Sequence, residues 1–299
     1  MPEIVVVGSS NTDMVVKTPR FPEPGETILG GDFFMFPGGK GANQAVAAAR
    51  LGGKINFICC VGDDIFGENA LEGYKKEGIN IKGALIVKGE PSGVALITVN
   101  SEGENEIVVA SGANNLLTKA HLKSVSGLLK DADIILTQLE TPISIVSQLA
   151  DHCREFNQKL IINPAPARNL PNDILEDLYL ITPNETETRI LTGIEVTDES
   201  SAIAACKAFF IKGVKNVIIT MGSKGAFFMN RELHFKVKSQ KVNAIDTTAA
   251  GDVFNGALAV CLSQNLSWKE SIEFANKAAA ISVSKMGAQT SAPFLNEIN

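Results

Sequence analysis

Six short runs of aliphatic and β-branched residues alternate with longer helical patterns along this chain, and that alternation restricts its fold most. Ile4–Val7, Ile55–Val61, Ile134–Leu136, Leu160–Ile162, Tyr179–Ile181 and Val217–Thr220 read as buried strands. Between and after them, Asn43–Leu51, Gly67–Glu77, Thr118–Leu129, Ile143–Phe156, Glu185–Thr192, Ser200–Ile211, Val253–Ser263 and Ser267–Ser284 carry helical spacing. Strands apolar on both faces and separated by helices predict a mostly parallel sheet covered on each side. The chain has 299 residues, 45% of them hydrophobic and 20% charged, which supports a large core. It shows no internal repeat, low-complexity segment or long linker, so residues 1–299 are expected to form one domain.

Two stretches break the alternation. Residues 13–36 and 92–109 hold runs of period two, such as Val94-Ala-Leu-Ile-Thr-Val, joined by turn residues such as Asn100-Ser-Glu-Gly. They predict antiparallel hairpins that together make a small inserted sheet. Polar residues collect just past the carboxyl ends of the strands: Ser9, Asn11 and Asp13; Asp63 and Asp64; Gln138 and Glu140; Asn163; Asn184, Glu185 and Glu187; Thr220 and Gly222. Open parallel sheets bind their ligands at that edge.

The segment Asp246-Thr-Thr-Ala-Ala-Gly-Asp-Val-Phe-Asn-Gly256 puts small residues and two carboxylates at the start of an apolar helix. Thr247 and Thr248 are available as N-caps. A helix N-terminus carries free amides and a positive dipole end, suited to phosphate, and Ala249, Ala250 and Gly251 let an anion come close. Asp252 sits where it can face the reacting group, and its place near a helix N-terminus predicts a pKa that is not raised. Pro37-Gly-Gly-Lys-Gly-Ala-Asn-Gln-Ala45 is a second glycine-rich turn into a helix. It lacks the GxxxxGK[ST] pattern of a P-loop, and the first strand ends without GxGxxG, which argues against a dinucleotide oxidoreductase. Lys40 and Asn43 in that turn are candidate donors to ligand hydroxyls.

The net charge of −6, without a basic cluster and with few aromatics, argues against nucleic acid as a partner. Cys59, Cys60, Cys153, Cys206 and Cys261 are odd in number and scattered, and predict buried thiols in a reduced compartment. The three histidines lie far apart and no CxxC is present, so zinc is not expected. The first residues enter a strand almost at once, no secretory signal is visible, and no apolar run reaches the ~18 residues of a membrane span, so no membrane partner is expected.

Taken in order, Gly8-Ser-Ser-Asn-Thr-Asp13, Pro24-Gly-Glu-Thr27, Gly38-Gly-Lys-Gly-Ala-Asn-Gln-Ala45, Val61-Gly-Asp-Asp64 with Gly67, Ser111-Gly-Ala-Asn114, Gln138-Leu-Glu140, Asn163-Pro-Ala-Pro-Ala167, Ile181-Thr-Pro-Asn-Glu-Thr-Glu187, Asp246–Asp252 and Gly287-Ala-Gln289 resemble the motifs of the ribokinase family of carbohydrate kinases. The resemblance covers nearly the whole chain. It implies an α/β, Rossmann-like three-layer domain with a mostly parallel central sheet and a small inserted β-sheet lid, about 13–36 and 92–109. It implies ATP-dependent phosphorylation of D-ribose at O5, or else action on 2-deoxyribose, another sugar or a nucleoside. Sugar-binding roles fall on Asn11, Asp13, Gly39, Lys40, Asn43 and Glu140, the catalytic base on Asp252, and an anion hole on Ala249, Ala250 and Gly251. Asn184 and Glu187 match the motif linked to Mg²⁺ and phosphate. Thr220, Gly222, Gly225 and Asn276 match nucleotide positions. Asp246, Thr248, Ser282, Lys285, Gly287 and Ser291 match a K⁺ site built mostly from carbonyls, which leaves almost no side-chain trace. The resemblance further implies a cytoplasmic homodimer joined through the lids, and exposed Ile97, Val99, Ile107 and Val109 would suit such a contact. Retention of Asp252, the small anion-hole residues and Glu187 counts against a sensing protein that has lost catalysis.

Overall fold

The computed structural model describes residues 2–298. Its strands are β1 (Glu3–Val7), β2 (Asn11–Lys17), β3 (Phe33–Gly38), β4 (Lys54–Ile58), β5 (Cys60–Gly62), β6 (Leu85–Val87), β7 (Gly93–Val99), β8 (Asn105–Ala110), β9 (Ile134–Thr137), β10 (Lys159–Ile162), β11 (Leu180–Ile181), β12 (Asn216–Thr220), β13 (Ala226–Met229) and β14 (His234–Val237). The helices are α1 (Lys40–Arg50), α2 (Ile65–Lys76), α3 (Lys119–Ser124), α4 (Ser126–Lys130), α5 (Ile143–Phe156), α6 (Asn172–Leu175), α7 (Glu185–Thr192), α8 (Glu199–Ile211), α9 (Ala250–Ser263) and α10 (Trp268–Ser282).

The main sheet has the order β14-β13-β12-β11-β10-β9-β1-β4. It is parallel from β4 to β12 and antiparallel at the β12–β13–β14 edge. Period-two alternation divides the core between its faces. Ile4 and Val6 point into a cluster with α1, α9 and α10, while Val5 and Val7 point into one with α5 and α8. The chain is thus a three-layer α/β fold with a mostly parallel central sheet, as the sequence implies. All five cysteines are free and buried. Among the described residues no helix is long and apolar enough to cross a membrane.

A separate four-stranded sheet, β3-β2-β7-β8, forms from the two segments that broke the alternation. It is two antiparallel hairpin-like pairs joined by a parallel β2–β7 seam. Asn11 pairs with both Gly38 and Gly93 at the edge nearest the main sheet. At the far turn, Asn100 Oδ1 accepts from the amides of Glu102 and Glu104, and Gly103 takes φ 81°.

Several boundaries differ from the expectations. Ile55–Val61 is two strands, because the chain turns at Cys59 and β5 leaves the main sheet to pair with β6. Thr118–Leu129 breaks at Val125, which takes φ −107° and ψ 18°. There a β-branched residue stands between serines ahead of Gly127, and Ser124 Oγ donates to the His121 carbonyl. The β13–β14 hairpin was not anticipated. α5 and α7 have the expected bounds.

Candidate active site

α1 and α9 enter the site from the same side and meet back to back. α1 begins at Lys40, three residues earlier than expected, because Gly39 acts as its N-cap at φ 88°. A Cβ on Gly39 would lie 2.7 Å from the Asn11 amide nitrogen, so only glycine lets this turn pack against the end of β1. Gly41 is equally constrained, with its hypothetical Cβ 2.6 Å from the Gly8 backbone. This close approach brings Lys40 N within 3.1 Å of Glu140 Oε2, which also accepts from Ser9 Oγ at 2.5 Å.

α9 begins at Ala250. Thr247 and Thr248 do not cap it, contrary to the expectation. The N-cap is Ala249, held in the left-handed region at φ 60° and ψ 9°, with no side-chain cap. The hydroxyl residues precede a tight turn in which Ala250 N donates to Thr247 O at 3.3 Å. The first amides of the helix therefore face the cleft without a side chain in the way. A Cβ on Gly251 would meet no atom within 4 Å, so the space beside it is open to a ligand.

Asp252 follows in the first turn and is only 5% exposed. Its Oδ2 accepts from Asn43 Nδ2 at 3.0 Å and its Oδ1 from Gln44 Nε2 at 2.9 Å. Its pKa is raised, whereas the sequence predicted none. Burial dominates, and the Lys40 charge with the Asn43 and Gln44 bonds only partly offset it. Burial first, and then the neighbouring Glu140 charge, lift the Asp13 pKa to about 6. Burial lowers the Lys40 pKa, but attraction from Asp252, Glu140, Glu187 and Asp13 outweighs it and the net shift is upward. Lys40 thus feels the attraction of four carboxylates. Asn43 Oδ1 is buried without a partner among the described residues, an acceptor left for a ligand hydroxyl.

On the other side of Asp252 opens a cleft of about 1010 Å³. Lys40, Ala249, Ala250, Gly251, Asp252, Asn184, Glu187, Thr220, Gly222, Gly225 and Asn276 all line it. Asn11, Asp13, Gly39, Asn43 and Glu140 do not; they lie on the small-sheet side, linked to the cleft through Lys40 and Asp252. Asn184 and Glu187 form a reciprocal cap, Glu187 N to Asn184 Oδ1 at 2.7 Å and Asn184 N to Glu187 Oε2 at 2.8 Å. That leaves the other Glu187 oxygen free. The described residues hold no cluster of three or more His, Cys, Asp or Glu that would cage a metal directly. A single free carboxylate fits Mg²⁺ held through waters and ligand phosphates. Gly225 at φ 96° is obligatory, since a Cβ there would collide with the Val237 carbonyl. Asn276 donates to that same carbonyl at 3.4 Å.

The proposed cation residues fall in two loops that Asp246 joins. Its Oδ1 accepts from Thr248 N and its Oδ2 from Gly287 N, both at 2.9 Å. Ser282 O accepts from Lys285 N at 3.0 Å, and Ser291 is fully buried with its hydroxyl on Ala288 O. The Lys285 side chain turns away to Glu297. The side chains of Asp246, Ser282, Lys285 and Ser291 are thus all engaged within the protein.

Sequence reasoning gave no role to Gln44, Gln138, Asn163 or Asn114, all buried polar residues, nor to the loop Ser239–Ala244 along the cleft. Asn114 donates to Asn11 Oδ1 at 2.7 Å and accepts from Ser10 N at 2.9 Å, which turns the Asn11 amide group outward. An amide inside an otherwise apolar helix face, as at Gln44, was the available signal.

The family model described as pfkB family carbohydrate kinase matches residues 1–295. A ribokinase of Haemophilus influenzae is 45% identical over 98% of this chain and 96% of its own length. The structure of Arabidopsis thaliana ribokinase complexed with ribose and ATP superimposes with a TM-score of 0.92 at 32% identity, covering 99% of this chain and 97% of that one. A deoxyribokinase of Salmonella typhi is 37% identical, over 99% of this chain and 97% of its own.

Proposed function

This chain belongs to the pfkB family of carbohydrate kinases, and within that family we propose that it transfers the γ-phosphoryl group of ATP to O5 of D-ribose, giving ribose 5-phosphate and ADP. The observation that carries this reading is the position of Asp252: buried at the start of α9, between the Asp13, Lys40 and Asn43 group and the large cleft. A sugar on the small-sheet side and a nucleotide in the cleft would meet at this carboxylate.

The sugar's hydroxyls find acceptors in Asp13, Glu140 and Asn43 Oδ1, and donors in Lys40 and the Asn11 amide. As O5 attacks phosphorus, the O5–P bond forms, the O5 proton passes to Asp252, and the bond to the ADP oxygen breaks with its electron pair staying on ADP. Deprotonation late in a loose transition state asks little intrinsic basicity of Asp252, so position matters most. The amides of Ala249, Ala250 and Gly251 hold charge on the moving phosphoryl group. Lys40 offsets the negative charge gathered at this point. Mg²⁺, held through Glu187 and Asn184 with waters, would neutralise the phosphates. K⁺ on the carbonyls around Asp246 and Gly287 would steady the α9 start from behind.

The four-stranded sheet acts as a lid over the sugar and excludes water, which limits ATP hydrolysis. Ile107 and Val109, which share one face of β8, are 54% and 46% exposed, and pairing of two lids in a homodimer would cover them. Use of ATP is in keeping with a cytoplasmic setting.

The Salmonella typhi relative supports a second reading, phosphorylation of 2-deoxyribose. ADP release measured with ribose, 2-deoxyribose, fructose and adenosine, with and without K⁺, separates the two. The expected result is the highest kcat/KM with ribose, and a higher value with 2-deoxyribose refutes it. Asp252→Asn should lower kcat by ~10²–10⁴ while ribose still binds in calorimetry. Near-normal turnover would reject Asp252 as the base.

A further inference from the structure

Under Asp252 runs a chain of buried side-chain amides that the reaction as described does not use. Gln44 on α1 is fully buried, Gln138 after β9 is 1% exposed and Asn163 after β10 is 6% exposed. Gln44 Nε2 donates to Asp252 Oδ1 at 2.9 Å and to Asn163 Oδ1 at 3.0 Å. Gln44 Oε1 accepts from Gln138 Nε2 at 2.5 Å, and Asn163 Nδ2 donates to the Thr182 carbonyl at 3.2 Å.

The directions of these bonds are forced. An ionised carboxylate only accepts, so Gln44 must turn its NH₂ to Asp252. Its carbonyl then needs a donor, which Gln138 supplies. The Thr182 carbonyl likewise requires the NH₂ of Asn163, leaving Asn163 Oδ1 to take Gln44's second hydrogen. Gln44 and Asn163 thus each have one orientation, set at the Thr182 carbonyl and delivered at Asp252 Oδ1, whereas Gln138 is held through its NH₂ on Gln44 and its own Oε1 is buried without a partner among the described residues. Asn43 binds the other oxygen. Together the two donors stop the carboxylate from rotating about its own axis.

We infer that Gln44 is a positioning residue for phosphoryl transfer, holding the Asp252 carboxylate in the orientation that takes the O5 proton, and that Gln138, by donating to Gln44 Oε1, helps to hold the Gln44 amide in place. The inference rests on the reading of Asp252 as the base. It goes beyond that reading by assigning roles to two buried glutamines that do not line the cleft.

Removing Gln44 leaves Oδ1 of a buried carboxylate without a partner. Burial already pushes Asp252 toward its protonated form, and Asp13 on β2, Glu140 after β9 and Glu187 on α7 push the same way. Lys40 and Asn43 on α1 would be the groups left to oppose them. A variant without the Gln44 donor should therefore carry a protonated, useless Asp252 at higher pH than the wild type.

The test measures kcat and KM for ribose at saturating ATP across about pH 5 to 9 in the full-length protein, with Gln44→Met, Gln138→Met and Asp252→Asn. Gln44→Met keeps the side-chain length and removes both bonding groups. It should lower kcat ~10–100-fold near pH 6 and less near pH 8, with KM for ribose within about threefold of wild type. Gln138→Met should move the same limb of the kcat profile in the same direction by less. Since it leaves Gln44 in place, it decides the matter alone if Gln44→Met does not fold. A uniform loss at every pH, or a profile that superimposes on wild type, overturns the proposal. Wild-type turnover by Asp252→Asn would instead overturn the reading of the base itself.

Discussion

The α1–α9 contact has almost no tolerance, and Gly256→Ala should show it. A Cβ on Gly256 would stand 2.7 Å from the Gln44 carbonyl oxygen, 3.0 Å from Ala47 Cβ and 3.0 Å from Ala48 N. Two of these are backbone atoms and the third is a Cβ fixed to its backbone, so no side chain can swing aside. The helices must separate by about 0.5–0.8 Å to restore ordinary contacts of ~3.5 Å. Overpacking of this kind costs ~1–3 kcal/mol, while replacing glycine by alanine inside a helix returns ~1 kcal/mol. The net loss of up to ~2 kcal/mol corresponds to a Tm drop of up to ~3 °C for a chain of 299 residues. The effect on turnover should be larger than that loss implies. α1 carries Asn43 and Gln44, whose bonds to Asp252 on α9 are 3.0 and 2.9 Å long. Separation by this amount stretches both past useful length, and misplacement near 1 Å can cost ~10² in rate. Thermal melts and ADP release at 25 °C read the two quantities separately, well below the melting range. A Gly256→Ala protein with raised Tm and unchanged kcat, the outcome that helix propensity alone predicts, would refute the reasoning.

Two further outcomes follow from side chains on either side of the reacting centre. Folding lifts Asp13 from its ordinary 3.8 to about 6, so its charge burdens the folded state fully above pH 6 and not at all once both states are protonated below 3.8. Asp13→Asn should therefore stabilise by on the order of 2–3 kcal/mol at pH 8 and lose that gain as the pH falls through this window, while ribose affinity drops; melts across the range check it, and a pH-independent gain would contradict it. Asn184→Ala should cost ~1 kcal/mol by opening the α7 cap and should raise the Mg²⁺ needed for half-maximal rate, measured by titration at fixed ATP; an unchanged Mg²⁺ requirement would separate the cap from metal binding.

What could be read from the residues depended on whether the cause was local. α5 and α7 were legible to the residue because apolar spacing, a Pro142 start and the Asn184-x-x-Glu187 cap all act within one helix. The turn at Cys59 was not, because the run Ile55–Val61 stays apolar through it and only pairing with β6 reveals it. Thr247 and Thr248 misled because α9 is capped by a backbone state at Ala249, which no side chain announces. The raised pKa of Asp252 comes from burial beneath α1 and from carboxylates on β2, after β9 and on α7, none of them near it in sequence. The motif residues on both sides of Asp252 were named in advance through the family resemblance. The amides beneath it appeared in the same motifs without a role, since three strand ends and two helices must meet before Gln44 has anything to hold.

The way the small sheet is attached has a mechanical consequence. The chain crosses into and out of it at Asn11, Gly38, Gly93 and Ala110, and the pairings of Asn11 with Gly38 and Gly93, and of Val94 with Ala110, put these crossings side by side along one line. A plate fastened along one edge can swing about that edge but resists sliding, so its softest motion is a rotation. Displacement then grows with distance from the axis. At about 3.3 Å per residue, a swing of about 20° moves Asp13, two residues out, by ~2 Å and Lys17, six residues out, by ~7 Å. The lever favours the rim: the mouth can gape wide enough to exchange sugar while the carboxylate near the axis keeps close to its place.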